Sequence, residues 1–180
     1  RIEAGSYILA TMATKGRLKL NNFNPKDLAL PLKLYKGMGL KIKKLSNSSY
    51  EIYCKTLKPI KKISTKEFPG YPTDLQAQLI ATQLKSGLKS KVVENIFENR
   101  FIHIPELRRF GANLSIKGKT VTIDKTSDLQ GAEVMATDIR ASFSLIIAAM
   151  MSKGKTVINR IYHLDRGYED FDLKLKKCGV

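Results

Sequence analysis

Apolar residues gather in three runs, and elsewhere they alternate or recur at helical spacing. The longest run is Phe143-Ser144-Leu145-Ile146-Ile147-Ala148-Ala149-Met150-Met151, in which only Ser144 is not apolar. A helix that is apolar all round belongs inside a protein or a membrane. This one is much shorter than the ~20 residues a membrane span needs, so it predicts a buried core helix. Met135-Ala136-Thr137-Asp138-Ile139-Arg140-Ala141-Ser142 opens it. Thr137 is the expected cap, because its hydroxyl can accept an orphan backbone N–H. Asp138 then falls in the first turn, where the helix dipole favours a carboxylate. That charged turn needs a cleft or a partner. The apolar body recurs at Glu3-Ala4-Gly5-Ser6-Tyr7-Ile8-Leu9-Ala10. It recurs again at Pro72-Thr73-Asp74-Leu75-Gln76-Ala77-Gln78-Leu79-Ile80-Ala81, with the same Thr-Asp start. Gly16, Gly87 and Gly154 close the three helices; Gly39, Gly111 and Gly179 close three Lys/Arg-rich segments that follow. Both glycine sets recur at about 70 residues, the mark of an internal repeat.

The remaining pattern fills in each unit. Asn24-Pro25-Lys26-Asp27 starts an outer helix with Pro at the first helical position. Leu40-Lys41-Ile42 and Tyr50-Glu51-Ile52-Tyr53 alternate as hairpin strands, as do Asn113-Leu114-Ser115-Ile116 and Thr120-Val121-Thr122-Ile123 around Gly118. Ile60 to Ser64, Lys91 to Phe97 and Thr156 to Ile158 read as strands. Pro105 begins a second outer helix. Asn159 to Tyr168 reads as a loop, and a last outer helix runs to Lys177. Each unit is thus apolar helix, strand, loop, amphipathic helix, hairpin. The expectation is one α/β domain over residues 1–180, with repeats at about 1–57, 58–126 and 127–180 around buried helices. The first repeat lacks a leading strand and the third lacks its final hairpin, as in a domain cut from a longer protein.

Composition narrows the setting. A length of 180 residues and an apolar content of 43% suit a single globular domain. Cys54 and Cys178 form no metal or redox spacing, so free thiols in a reducing, cytoplasmic compartment are expected. No signal peptide or spanning run is visible. The net charge of +16 points to a polyanion partner. The lysines, however, alternate with apolar residues as on solvated outer faces, among them Lys33, Lys36, Lys41 and Lys43. Nucleic-acid binding therefore stands as the alternative reading. The polar residues cluster at equivalent ends: Asp74, Asp138 and Arg140 at helix starts, Glu98–Arg100 and Asp165–Arg166 in loops after strands. Either aspartate could serve only as a cap, and Arg140 or Arg166 could serve only to neutralise one. His103 and His163 more simply satisfy local hydrogen bonds than bind metal. No metal or cofactor is expected. There is no Gly-rich phosphate loop, serine elbow or Cys-His pair.

Four stretches go further. Phe68-Pro69-Gly70-Tyr71-Pro72-Thr73-Asp74-Leu75-Gln76-Ala77-Gln78, Phe97-Glu98-Asn99-Arg100-Phe101, Met135 to Ser142 and Arg160-Ile161-Tyr162-His163-Leu164-Asp165-Arg166-Gly167-Tyr168-Glu169 resemble the UDP-N-acetylglucosamine 1-carboxyvinyltransferase family. So does Arg1-Ile2-Glu3-Ala4-Gly5. The sister enolpyruvyl transferase of the shikimate pathway shares the fold but not these motifs. The resemblance implies two domains, each an inside-out α/β barrel of three βαβαββ units, with substrates in the cleft between. This chain resembles most of one domain, its first and last repeats incomplete. The implied reaction moves enolpyruvate from phosphoenolpyruvate to the 3-hydroxyl of UDP-N-acetylglucosamine and releases phosphate, the first committed step of peptidoglycan synthesis. Such chemistry needs a proton acceptor, a proton donor and cations for carboxylate and phosphate. By the resemblance, Asp74 contacts the sugar hydroxyl and is the candidate base. Ile96 holds the nucleotide sugar through main chain, and Arg166 binds phosphoenolpyruvate. Asp138 and Arg140 support electrostatically. The family's early lysine and asparagine and its mobile-loop cysteine, the proton donor, belong to segments absent here. Neither Cys54 nor Cys178 matches that cysteine, so the isolated chain is expected not to turn over.

Overall fold

A computed structural model describes residues 1–179 of the protein. The first apolar run folds as α1 (Ile2–Ala13), buried from Gly5 to its end, and leads to β1 (Arg17–Leu20). A 3-10 turn at Pro25–Leu28, capped by the Asn24 side chain on the Lys26 N–H, precedes α2 (Ala29–Gly37). Gly39, with φ at +111°, turns the chain into the hairpin β2 (Lys41–Lys44) and β3 (Tyr50–Tyr53). A side chain there would collide with the Thr56 carbonyl, so only glycine fits. Next come β4 (Lys62–Ser64), a 3-10 turn at Thr73–Leu75 and α3 (Gln76–Gln83). β5 (Ser90–Val93), α4 (Ile104–Arg109) and the hairpin β6 (Leu114–Lys117) and β7 (Thr120–Ile123) follow. The chain continues through β8 (Glu133–Met135), α5 (Ile139–Met151), β9 (Val157–Asn159), α6 (Tyr162–Asp165) and α7 (Phe171–Lys177).

The strands form three sheets. The fullest has the order β4-β5-β7-β6, with β4 and β5 parallel and the other pairs antiparallel. The sheet β1-β3-β2 has the pattern of its antiparallel part, and β8-β9 that of its parallel pair. The parallel pairs need crossovers, which α3 and α5 supply. α1, α3 and α5 pack on one another at the centre. Phe143, Leu145 and Ile147 of α5 are fully buried, each contributing on the order of 1.5–3 kcal/mol before chain entropy is counted. The mixed α/β class agrees with the sequence pattern. Among the described residues no helix is long and apolar enough to cross a membrane.

Local departures from the sequence reading have physical causes. α3 is not an apolar helix: Gln76, Gln78, Thr82 and Gln83 are all buried on it. Gln83 Oε1 accepts from the Ile60 N–H at 2.9 Å and from Ser90 Oγ at 3.0 Å. Gln78 Nε2 donates to Ser6 Oγ and to Tyr168 OH, each at 3.1 Å, and those two hydroxyls lie 2.8 Å apart. This buried triad ties α1 to α3 and to the segment before α7. The strand expected over Lys91 to Phe97 stops at Val93, because the Glu94 carboxylate takes the Ile96 and Phe97 N–H groups and turns the chain. Met135 ends β8 rather than opening a helix. The loop expected over Asn159 to Tyr168 contains α6, and the last outer helix starts only at Phe171.

Candidate active site

The heads of α3 and α5 meet and bring their charges together. Asp138, not Thr137, caps α5. Its extended backbone (φ −157°, ψ 171°) sets the carboxylate over the first turn, where Oδ1 accepts from the Arg140 N–H at 2.8 Å and the Ala141 N–H at 2.9 Å. Thr137 Oγ1 is instead buried without a hydrogen-bond partner. Asp74 is no cap either. It sits in the 3-10 turn ahead of α3, where Oδ1 accepts from Arg100 Nη2 at 2.9 Å and lies 3.6 Å from Arg140 Nε. One carboxylate is thus shared by two guanidiniums from distant segments. Arg100 also lies over the Phe97 ring, 4.8 Å from its centroid.

Arg166 belongs to the turn after α6. The next residue, Gly167, packs against Ile139 and Arg140; a Cβ there would collide with the Ile139 side chain and lie 3.6 Å from Arg140 Nη1. The turn therefore closes onto the head of α5. The Arg166 side chain is exposed, with no ion-pair partner among the described residues. Arg140 joins the two aspartates, meeting Asp74 through its side chain and Asp138 through its N–H, and the turn bearing Arg166 adjoins it at Gly167.

Ile96 lies in the loop after β5, half-buried, its N–H donating to Glu94 Oε1 at 2.8 Å. Glu94 is 1% exposed, and the sequence reading passed over it and over Arg100 as the partner of Asp74. A glutamate ending a valine-rich strand was the one available signal for Glu94. A cleft of about 460 Å³ opens beside this loop, lined by Glu94, Phe97, Arg100, Phe101, Ile102 and Ile116 among others. His103 is buried, with 1% of its surface exposed. Burial pushes its imidazole down to about 4, with Asp138 acting the other way and Arg100 reinforcing the shift. It is therefore neutral at pH 7. The Cys54 thiol is buried and the Cys178 thiol exposed, and burial pushes both upward; neither suits a thiolate. The set can bind anions through Arg100, Arg140 and Arg166 and accept a proton or hydrogen bond at Asp74.

Residues 1–175 match the EPSP synthase (3-phosphoshikimate 1-carboxyvinyltransferase) family. The chain is 49% identical, over its whole length, to the UDP-N-acetylglucosamine 1-carboxyvinyltransferase of Pelagibacter ubique (strain HTCC1062), of which it covers 43%. It is 45% identical to the protein of that name from Rhodopseudomonas palustris (strain HaA2), covering 42% of it. Among solved structures, the enolpyruvyl transferase NikO from Streptomyces tendae superposes with a TM-score of 0.85 over 98% of this chain and 42% of its own, at 24% identity. EPSP synthase from Acinetobacter baumannii gives 0.64 over 87% of this chain and 38% of its own, at 15% identity. The chain spans less than half the length of the curated relatives it matches. With a family match over nearly all its residues and a shared fold, the chain belongs to the EPSP synthase family of enolpyruvyl transferases.

Proposed function

We propose that the chain is one domain of a two-domain cytoplasmic enzyme that transfers enolpyruvate from phosphoenolpyruvate to the 3-hydroxyl of UDP-N-acetylglucosamine, beginning peptidoglycan synthesis. In this reading the domain is an inside-out α/β barrel with repeats at about 1–57, 58–126 and 127–180. The hydroxyl oxygen adds to C2 of phosphoenolpyruvate while the methylene carbon takes a proton. Loss of phosphate and of a proton from that carbon then restores the alkene. Asp74 is the acceptor for the hydroxyl proton. Arg166 holds the phosphoenolpyruvate anion, and Arg140 and Asp138 set the field around it. Ile96 meets the nucleotide sugar through its carbonyl oxygen, its N–H being committed to Glu94. The proton donor comes from the companion domain, so this chain alone does not turn over.

The observation that carries the reading is the Asp74 carboxylate held between Arg100 and Arg140, beside the turn bearing Arg166. In the full-length protein, Asp74→Ala abolishes transfer and leaves the urea unfolding midpoint near wild type; turnover close to wild type would overturn the assignment of the base. Arg166→Ala raises the KM for phosphoenolpyruvate, and an unchanged KM removes that residue from the site. The second reading, a basic nucleic-acid module, draws on thirteen Lys and Arg against only Asp27 and Glu51 between residues 15 and 62. It requires RNA binding whose logarithm falls linearly with log salt, where the first reading requires calorimetric binding of the nucleotide sugar.

A further inference from the structure

Glu94 is the one buried carboxylate among the described residues, at 1% exposure, and no Lys, Arg or His lies within ion-pair distance of it. A buried charge is costly unless its lone pairs are filled. Here neutral donors fill them. Thr65 Oγ1 donates to Oε1 at 2.8 Å, Thr73 Oγ1 to Oε2 at 2.8 Å, and the N–H groups of Ile96 and Phe97 to Oε1 at 2.8 and 3.2 Å. These donors come from three places: the residue after β4, the residue before Asp74, and the loop carrying Ile96 and Arg100. Thr65 extends the network by accepting from the Asn95 N–H at 2.8 Å.

We infer that Glu94 is a positioning residue that locks the Asp74 turn and the Ile96 loop at a fixed separation, so that the sugar hydroxyl and the rest of the nucleotide sugar are held together. The inference rests on the proposed function and assigns to that site a part nothing above gives it. Its logic is geometric. Asp74 follows Thr73 directly, and Ile96 is bonded through its own N–H. A single rigid carboxylate therefore sets both sugar-side contacts, whereas Arg140 and Arg166 are fixed by the head of α5 and the turn at Gly167. The Glu94 network therefore acts chiefly on the nucleotide sugar and reaches the phosphoenolpyruvate side only through the 3.6 Å contact of Arg140 with Asp74.

The test is a split between two KM values in the full-length protein. Thr73→Val removes one donor and keeps the shape; Thr73→Ser restores the donor. Thr73→Val raises the KM for UDP-N-acetylglucosamine about tenfold, the size of one lost bond to a charged acceptor. It leaves the KM for phosphoenolpyruvate within about twofold, and Thr73→Ser returns the sugar KM to the wild-type range. Glu94→Gln, where it folds, moves the same parameter further. Thr73→Val adds little on top of Glu94→Gln, because the Thr73 bond is one of those that Glu94→Gln already disturbs. Equal shifts in both KM values, or a wild-type sugar KM in Thr73→Val, overturn the inference and leave the proposed reaction standing. A wild-type protein that does not consume the nucleotide sugar overturns both.

Discussion

His103 shows how burial converts a polar residue into a pH sensitivity. Its imidazole titrates near 4 in the fold, lowered chiefly by burial, against about 6.5 in an unfolded chain. Above pH 6.5 both states are neutral and it contributes nothing. Between about 6.5 and 4 only the unfolded chain takes up the proton, so stability falls as pH falls. The loss approaches about 3 kcal/mol near pH 4. His103→Gln should flatten that part of the pH profile, read from urea midpoints at pH 7 and 4.5; an unchanged slope would mean that other groups carry it. The same residues mark what the sequence could reveal of the site. The convergence of Asp74, Asp138 and Arg140 was legible because charges at the starts of buried helices must find partners. Which residue caps α5 was not, since Thr137 and Asp138 are both good caps and only the backbone angles choose between them. The Arg100–Asp74 pair was hidden because it joins residues 26 positions apart, and no local rule reports such a contact.

Helix α1 approaches α3 at Gly5. A Cβ there would lie 2.6 Å from Leu75 Cδ1, in the turn that carries Asp74. Leu75 is fully buried and has little room to yield. Gly5→Ala should therefore cost about 1–3 kcal/mol, the range for an overpacked core. It should appear as a lower urea midpoint with an unchanged slope. In the full-length protein the proposed transfer should slow as well, because the strain enters the turn that carries Asp74; a variant as stable as wild type would show that α1 can retreat. The hairpins β2–β3 and β6–β7 were readable from strict alternation, and α1 and α5 from continuous apolar runs. α3 was readable in place but not in kind: Gln78 and Gln83 look like surface residues until Ser6 and Tyr168 partner the one and Ile60 and Ser90 the other. β8 escaped notice because Met135 was absorbed into the opening of the apolar helix that follows, leaving Val134 as its single apolar residue.

Charge is distributed unevenly over the molecule. Of the thirteen basic residues between positions 15 and 62, Arg17 alone has an ion-pair partner among the described residues, Glu51 at 3.3 Å. Added salt screens such repulsion. Raising NaCl from about 50 to 500 mM should stabilise the fold by on the order of 1 kcal/mol, about 2–4 °C in Tm. A Tm that falls with salt would mean that the basic residues stabilise the fold through attractive pairs instead. The sheet margins are treated just as unevenly. Lysines 41, 43 and 44 crowd the outer strand β2. Arg108 covers the Leu114 carbonyl of β6, and Arg109 and Glu106 cover the Glu133 carbonyl and Met135 N–H of β8. β9, reading Val-Ile-Asn, carries no charge, among the described residues pairs with β8 alone, and leaves Val157 40% exposed. Unguarded margins of that kind are adhesive. Left bare, this seam should zip one copy of the chain to another, giving sedimentation that depends on concentration and that Val157→Lys abolishes.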